Sequence, residues 1–68
     1  MMPEKNRMIG RMLKKDICSR DLFETFACFA NGFLNFNDVL EQAHKEAVDF
    51  KALVENEGLD YEAIQRGE

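Results

Sequence analysis

The chain has few of the residues that interrupt helices or build covalent and metal-centred sites. Its 68 residues include one proline, four glycines and two cysteines, with a single histidine and no tryptophan. Its apolar runs are short and interrupted by charged residues, so no segment is predicted to span a membrane. The first five residues lack the apolar stretch of a signal peptide. We therefore expect a soluble protein that resides in the cytoplasm.

Reactive side chains are too scarce to assemble a nucleophile, a base and an orienting group. Cys18 and Cys28 are ten residues apart and form no CxxC pair, so we expect free thiols in a cytosolic protein. The aliphatic hydroxyls are Ser19 and Thr25, and no glycine-rich loop is present to hold a phosphate. The sequence therefore predicts a protein that is not an enzyme and needs no cofactor.

The size and charge of the chain both point to association. Hydrophobic residues make up 46% of the sequence, which is too apolar for a disordered tail. A single core in so short a chain rarely supplies more than ~3–5 kcal/mol, and oligomerisation is one usual remedy. Residues 1–20 carry a net charge of +4 and residues 21–68 a net charge of −8. This polarity favours a charged partner or contact between copies of the chain.

The periodicity predicts an all-α fold in one helical domain over residues 1–68, with helices at about 4–17, 20–33 and 38–57. A short turn over 61–65 and a frayed tail are expected to follow. The first helix is amphipathic, with Met8, Ile9, Met12, Leu13 and Ile17 on one side. Its other side carries the cations that we call the basic face: Arg7, Arg11, Lys14 and Lys15.

The second predicted helix begins after Ser19, a favourable N-cap residue, and is unusually rich in phenylalanine. Its apolar arc is too wide for the few remaining helices of the chain to cover, so we expect part of it to be buried by another subunit. The predicted interface for self-association or partner binding comprises Leu22, Phe23, Phe26, Phe29, Phe33, Phe36 and Leu40.

The third predicted helix has its apolar residues spaced by three and four, and Gly58 follows its end as a stop signal. The same register continues backwards through the second helix. Residues 20–57 therefore form either one long helix with a coiled-coil seam or a hairpin broken at residues 31–37. Asn31-Gly32, with two further asparagines before residue 38, favours the hairpin. The expected fold is a small three-helix module, with the basic amphipathic helix packed on the hairpin in an oligomeric bundle.

Three functions remain open on these features. The favoured one is a small oligomeric module that binds itself and another protein, as a regulator, adaptor or inhibitor. The first alternative is a nucleic-acid-associated regulator that uses the basic face, although the acidic remainder of the chain opposes it. The second is a metal-binding bundle built on the Glu-x-x-His pair of Glu41 and His44, a spacing that is common by chance.

Overall fold

The computed structural model describes residues 2–68, and all of its regular structure is helical. This confirms the predicted all-α class, but the helices are shorter and more numerous than expected. None of the helices between residues 2 and 68 has the length and apolar character that a membrane crossing needs. In chain order they are α1 (Glu4–Lys15), α2 (Arg20–Ala30), α3 (Phe36–Lys45), α4 (Phe50–Asn56) and α5 (Tyr61–Gln65).

Helix α1 is amphipathic as predicted, and Met8 and Met12 are buried on its inner side. It ends two residues before the predicted limit of residue 17. Asp16 adopts a left-handed conformation with φ of 51° and donates its N–H to the carbonyl of Met12. A left-handed residue cannot continue a right-handed helix, so Ile17 lies in the link to α2, half-buried against the core.

The connection between α2 and α3 is a turn, which decides between the two alternatives for residues 31–37. Helix α2 ends at Ala30 rather than at residue 33, because Gly32 has φ of 84° and reverses the chain. Asn35 then caps α3 in a capping box, in which the Asn35 and Asp38 side chains each accept from the other's backbone N–H. Helices α2 and α3 fold back on each other as the predicted hairpin.

The predicted helix over residues 38–57 is wrong as a single element, because the chain breaks between Lys45 and Phe50. Ala47 is left-handed, with φ of 57°, and Val48 donates its N–H to the carbonyl of Ala43 at 2.8 Å. This bond closes α3 in a Schellman motif, the left-handed helix stop usually made by glycine. Asp49 then caps α4, accepting the backbone N–H of Ala52 at 3.1 Å.

Residues 66–68 are hydrogen-bonded to α5 and α1, in contrast to the predicted frayed tail. Gly67 has φ of 87°, and Glu68 donates its N–H to the Ala63 carbonyl in another Schellman motif. The Glu68 carbonyl accepts the N–H of Lys5 at 2.8 Å. The first N–H groups of a helix lack partners within the helix, so this contact satisfies one of them.

The core is built by all five helices around a chain of aromatic rings. Phe26 and Phe36 each have a ring centroid within 6 Å of Phe50, at 5.6 and 5.9 Å, and Phe36 also meets Tyr61 at 5.6 Å. Helices α4 and α5 therefore cover the phenylalanine-rich side of the hairpin. The buried core side chains are Met8, Met12, Leu22, Phe26, Phe36, Val39, Ala43, Phe50, Val54, Leu59 and Ile64.

Candidate interaction surfaces

The residues of the predicted interface do not lie on one surface. Leu22, Phe26 and Phe36 are buried in the chain's own core and present nothing to a second molecule. The half-buried members are Phe23, Phe29 and Leu40, which pack against that core. Phe33 is the exception, because it is largely exposed. The sequence pattern identified the apolar arc correctly, but it could not show that α4 and α5 would cover most of that arc from within the chain.

Phe33 and Leu34 form an exposed apolar corner between α2 and α3. Phe33 exposes 80% of its surface and Leu34 exposes 39%. The backbone there is fixed, since Phe33 donates its N–H to the Cys28 carbonyl at 2.9 Å and the Asn35 cap comes directly after Leu34. In a Schellman motif the apolar residue at the position of Phe33 usually packs back on the helix that it follows. Here its exposure leaves the ring available to a partner.

A second apolar surface is the groove between the C-terminal half of α1 and the first turns of α2, which we call the α1–α2 groove. It has a volume of about 390 Å³. Leu13, which exposes 71% of its surface, and the half-buried Phe23 line it. The sequence-based interface omitted Leu13, because the helical period placed it with the core side chains of α1. The other lining residues are Met12, Asp16, Cys18, Ser19, Arg20 and Glu24.

The polar rim of the α1–α2 groove is held by a hydrogen-bonded bridge to the end of α3. The Ser19 hydroxyl donates to Glu46 and accepts from the backbone N–H of Leu22, and the Gln42 amide donates to Glu46 at 2.6 Å. The hydrogen bond from Ser19, and to a smaller extent the one from Gln42, lowers the pKa of Glu46. Burial raises the pKa of the neighbouring Cys18 thiol, and Glu46 raises it further. Cys18 therefore contributes a neutral, weakly polar surface to the groove.

The basic face is divided between cations used inside the fold and cations that remain available to a partner. Arg7 pairs with Glu4, three residues earlier on α1. Lys15 Nζ lies 2.9 Å from Glu57 Oε1 at the end of α4, where the glutamate side chain is only 11% exposed. Within residues 2–68, Arg11 and Lys14 form no ion pair. The Lys15–Glu57 contact depends on the turn before α4, which the sequence did not reveal.

The Glu41–His44 pair lies on the outer side of α3, together with Asn37, Leu40 and Lys45. In the described part of the chain, the pair belongs to no group of three or more side chains that could hold a metal ion. Metal sites in helical bundles need carboxylates from facing helices in addition to such a pair. Both cysteines are free thiols, with Cys28 exposed and Cys18 half-buried.

A scan against protein-family models and searches of curated proteins and solved structures found no match to the chain. The function is therefore inferred from the surfaces described above.

Proposed function

We propose that the protein is a small interaction module that binds copies of itself and another protein, acting as a regulator, adaptor or inhibitor. The observation that carries this proposal is the exposed corner of Phe33 and Leu34. An aromatic ring on a hydrogen-bonded turn loses little freedom on binding, which favours its use as an interface anchor. Covering a fully exposed phenylalanine contributes about 1.5–3 kcal/mol, so one ring supplies a useful part of a binding energy.

Self-association in this proposal depends on the corner and not on the whole apolar arc. The chain's own helices bury Phe26 and Phe36, so a folded protomer needs no second copy to complete its core. Pairing through Phe33 and Leu34 joins molecules that are already folded. Association is therefore expected to be weak, concentration-dependent and separable from folding.

The two alternatives are weaker. A nucleic-acid role would use the basic face, but Arg7 and Lys15 are engaged by the protein's own carboxylates and the chain carries a net charge of −4. A metal-binding role would need further ligands beside Glu41 and His44, and the geometry gives no support for them within residues 2–68.

Sedimentation velocity over micromolar to submillimolar concentrations tests the proposal. The wild type should increase in apparent mass with concentration, while Phe33→Asp should remain at the monomer mass of 7.9 kDa with unchanged helicity by circular dichroism. Gln65→Asp, which adds the same charge at an exposed site on α5, should behave as the wild type. A wild type that stays monomeric throughout, or a Phe33→Asp variant that still associates, would contradict the proposed self-association.

A further inference from the structure

The outer side of α1 carries a concavity of about 450 Å³, which we call the α1 concavity and which is lined by residues 2–15 alone. It shares no lining residue with the α1–α2 groove. It lies between two adjacent rows of positions on α1, each with a spacing of four residues. The rows are Asn6, Gly10 and Lys14 on one side, and Arg7, Arg11 and Lys15 on the other.

Gly10, in the middle of the α1 concavity, has no role in the fold that calls for glycine. Its φ is not positive, whereas the other three glycines have positive φ. A Cβ built at Gly10 would meet nothing within 4 Å. Glycine inside a helix is less favourable than alanine, because it leaves more freedom to the unfolded chain. The effect of glycine at this position is therefore on the surface, where it keeps the concavity open.

Four cations surround this opening, and the fold pairs two of them. Arg7 and Lys15 form ion pairs with glutamates of the same chain. Arg11 and Lys14 form no ion pair in the part of the chain that the structure describes. They are three residues apart on α1, which places their Cβ atoms about 5–6 Å from each other. The α1 concavity thus has two neighbouring positive charges that can be neutralised by another molecule.

From the open glycine position beside two unpaired cations, we infer that the α1 concavity binds an α-helix of a partner protein that carries carboxylates one turn apart. The inference rests on the proposed function for the existence of a protein partner, and it adds the binding site and the chemistry of that partner. The Phe33 corner is not part of this site.

The shape of the α1 concavity favours a helix as its occupant. Side chains spaced by four residues form ridges on a helix, and a ridge of one helix packs into the groove between two ridges of another. The α1 concavity is such a groove, and the missing side chain at Gly10 allows a second backbone to approach closely. Met2, which exposes 60% of its surface, adds an apolar contact to the lining.

The charge of the α1 concavity suits a short acidic helix better than a nucleic acid. Carboxylates three or four residues apart on a helix have the same spacing of about 5–6 Å as Arg11 and Lys14. A DNA duplex carries one negative charge for about every 1.7 Å of its length, so it extends far beyond two cations. Its other phosphates would be repelled by residues 21–68, which carry a net charge of −8. A helix with a few carboxylates places its charge within the concavity.

A second copy of the chain is a poorer occupant, because its exposed glutamates lie next to cations. On α3, α4 and α5, each exposed glutamate is four residues from a lysine or an arginine. That cation would be brought close to Arg11 or Lys14 and would reduce the attraction. The pairs are Glu41 with Lys45, Glu55 with Lys51, and Glu62 with Arg66.

Binding of designed peptides tests the inference. The probe is a labelled, alanine-rich peptide of about 16 residues, long enough to form a helix, with glutamates three and four residues apart along one side. A matched peptide has the same composition, but its glutamates are spread evenly around the helix. Fluorescence anisotropy should show tighter binding of the one-sided peptide, weakened by salt. Amide chemical shifts should move at Gly10 and Arg11 and not at Phe33.

Gly10→Gln separates binding from folding. Glutamine is a good helix former and position 10 has open space, so this variant should raise Tm by ~2–6 °C. The added side chain fills the α1 concavity, so affinity for the one-sided peptide should fall about tenfold. Arg11→Gln with Lys14→Gln should also weaken binding about tenfold, through the loss of two ion pairs. Lys45→Gln with Lys51→Gln removes two exposed cations elsewhere and should leave the affinity unchanged.

The peptide assay is independent of self-association at the Phe33 corner. Phe33→Asp should bind the one-sided peptide as the wild type does, so this test gives a result even where the proposed self-association fails. Equal affinity for the two peptides, wild-type affinity in Gly10→Gln, or tighter binding of a DNA or RNA duplex than of the one-sided peptide would overturn the inference. Salt-sensitive association of Phe33→Asp that is lost on adding Arg11→Gln and Lys14→Gln would also overturn it, by assigning the concavity to a second copy.

Discussion

Replacing Ala47 by glycine should stabilise the protein, although it removes a methyl group. Ala47 is an exposed L-residue held at φ of 57°, in the position of a Schellman motif that glycine occupies at Gly32, Gly58 and Gly67. A left-handed conformation costs an L-residue roughly 1–2 kcal/mol. Glycine avoids that cost but adds about 0.4–1 kcal/mol of freedom to the unfolded chain. The expected net gain is about 0.5–1 kcal/mol in the free energy of unfolding.

In a domain of this size, 1 kcal/mol corresponds to ~4–8 °C, so Ala47→Gly should raise Tm by ~2–8 °C. Thermal unfolding followed by circular dichroism at 222 nm measures the shift, and urea titration should give the same sign. Two control variants isolate the cause. Gly32→Ala makes the opposite change at a left-handed position where an added Cβ meets nothing within 4 Å, so it should lower Tm by a similar amount. Ala52→Gly, inside α4, should also destabilise.

The sign of the Ala47→Gly effect distinguishes two architectures. If residues 38–57 formed one continuous helix, position 47 would be helical and glycine there would cost about 0.5–1 kcal/mol. A lower Tm for Ala47→Gly, together with the expected loss for Gly32→Ala, would therefore refute the turn between α3 and α4. It would also remove the physical reason given for the position of α4 over the aromatic core.

Three further predictions concern the core, the loss of stability at acidic pH and the reactivity of the two thiols. Phe29→Ala should lower the free energy of unfolding by about 2 kcal/mol, less than the loss for a fully buried ring. The urea midpoint of this variant should not change with protein concentration, because Phe29 contacts Phe26 and Phe36 of the same chain. The pKa of Glu46 is lowered in the folded state, so its contribution to the free energy of unfolding is present above the ordinary pKa of 4.5 and is lost as the pH falls. Glu46→Gln should therefore flatten the decline of Tm below pH 4.5. An unchanged decline would contradict this reasoning. Cys28 should react with a thiol reagent well before Cys18, which is half-buried and has a raised pKa, and equal rates would be inconsistent with the fold.

The start signals of the helices could be read from the sequence, because they rest on local hydrogen bonds. Ser19 caps α2 as predicted, and Asn35, one of the two asparagines between Gly32 and residue 38, caps α3. Asp49 is an equally good local signal, since it precedes Phe50 and caps α4, but the regular spacing from Leu40 to Val54 outweighed it. Spacing by three and four is preserved across this break, so periodicity alone could not reveal the change of direction.

The end of α3 at the left-handed Ala47 could not be predicted from the sequence, for a different reason. Alanine is the strongest helix former, and nothing local makes it adopt a left-handed conformation. The turn is favoured by the packing of the next helix, because Phe50 and Val54 become buried only when α4 leaves the line of α3. The free energy gained by burying Phe50 and Val54 therefore determines the backbone conformation of Ala47. The ion pair between Lys15 and Glu57 depends on the same turn, because Glu57 directly follows α4.

The same turn changes the role left for a second molecule. The phenylalanine-rich helix was expected to need another subunit because so short a chain had too few helices to cover it. The additional turns shorten the helices but change the direction of the chain. Helices α4 and α5 are thereby placed over Phe26 and Phe36. Apolar side chains that remain exposed, such as Leu13 and Phe33, lie outside this covered region. A substitution at Phe33 should therefore change binding while leaving the fold intact, whereas substitutions at Phe26 or Phe36 cannot separate the two effects.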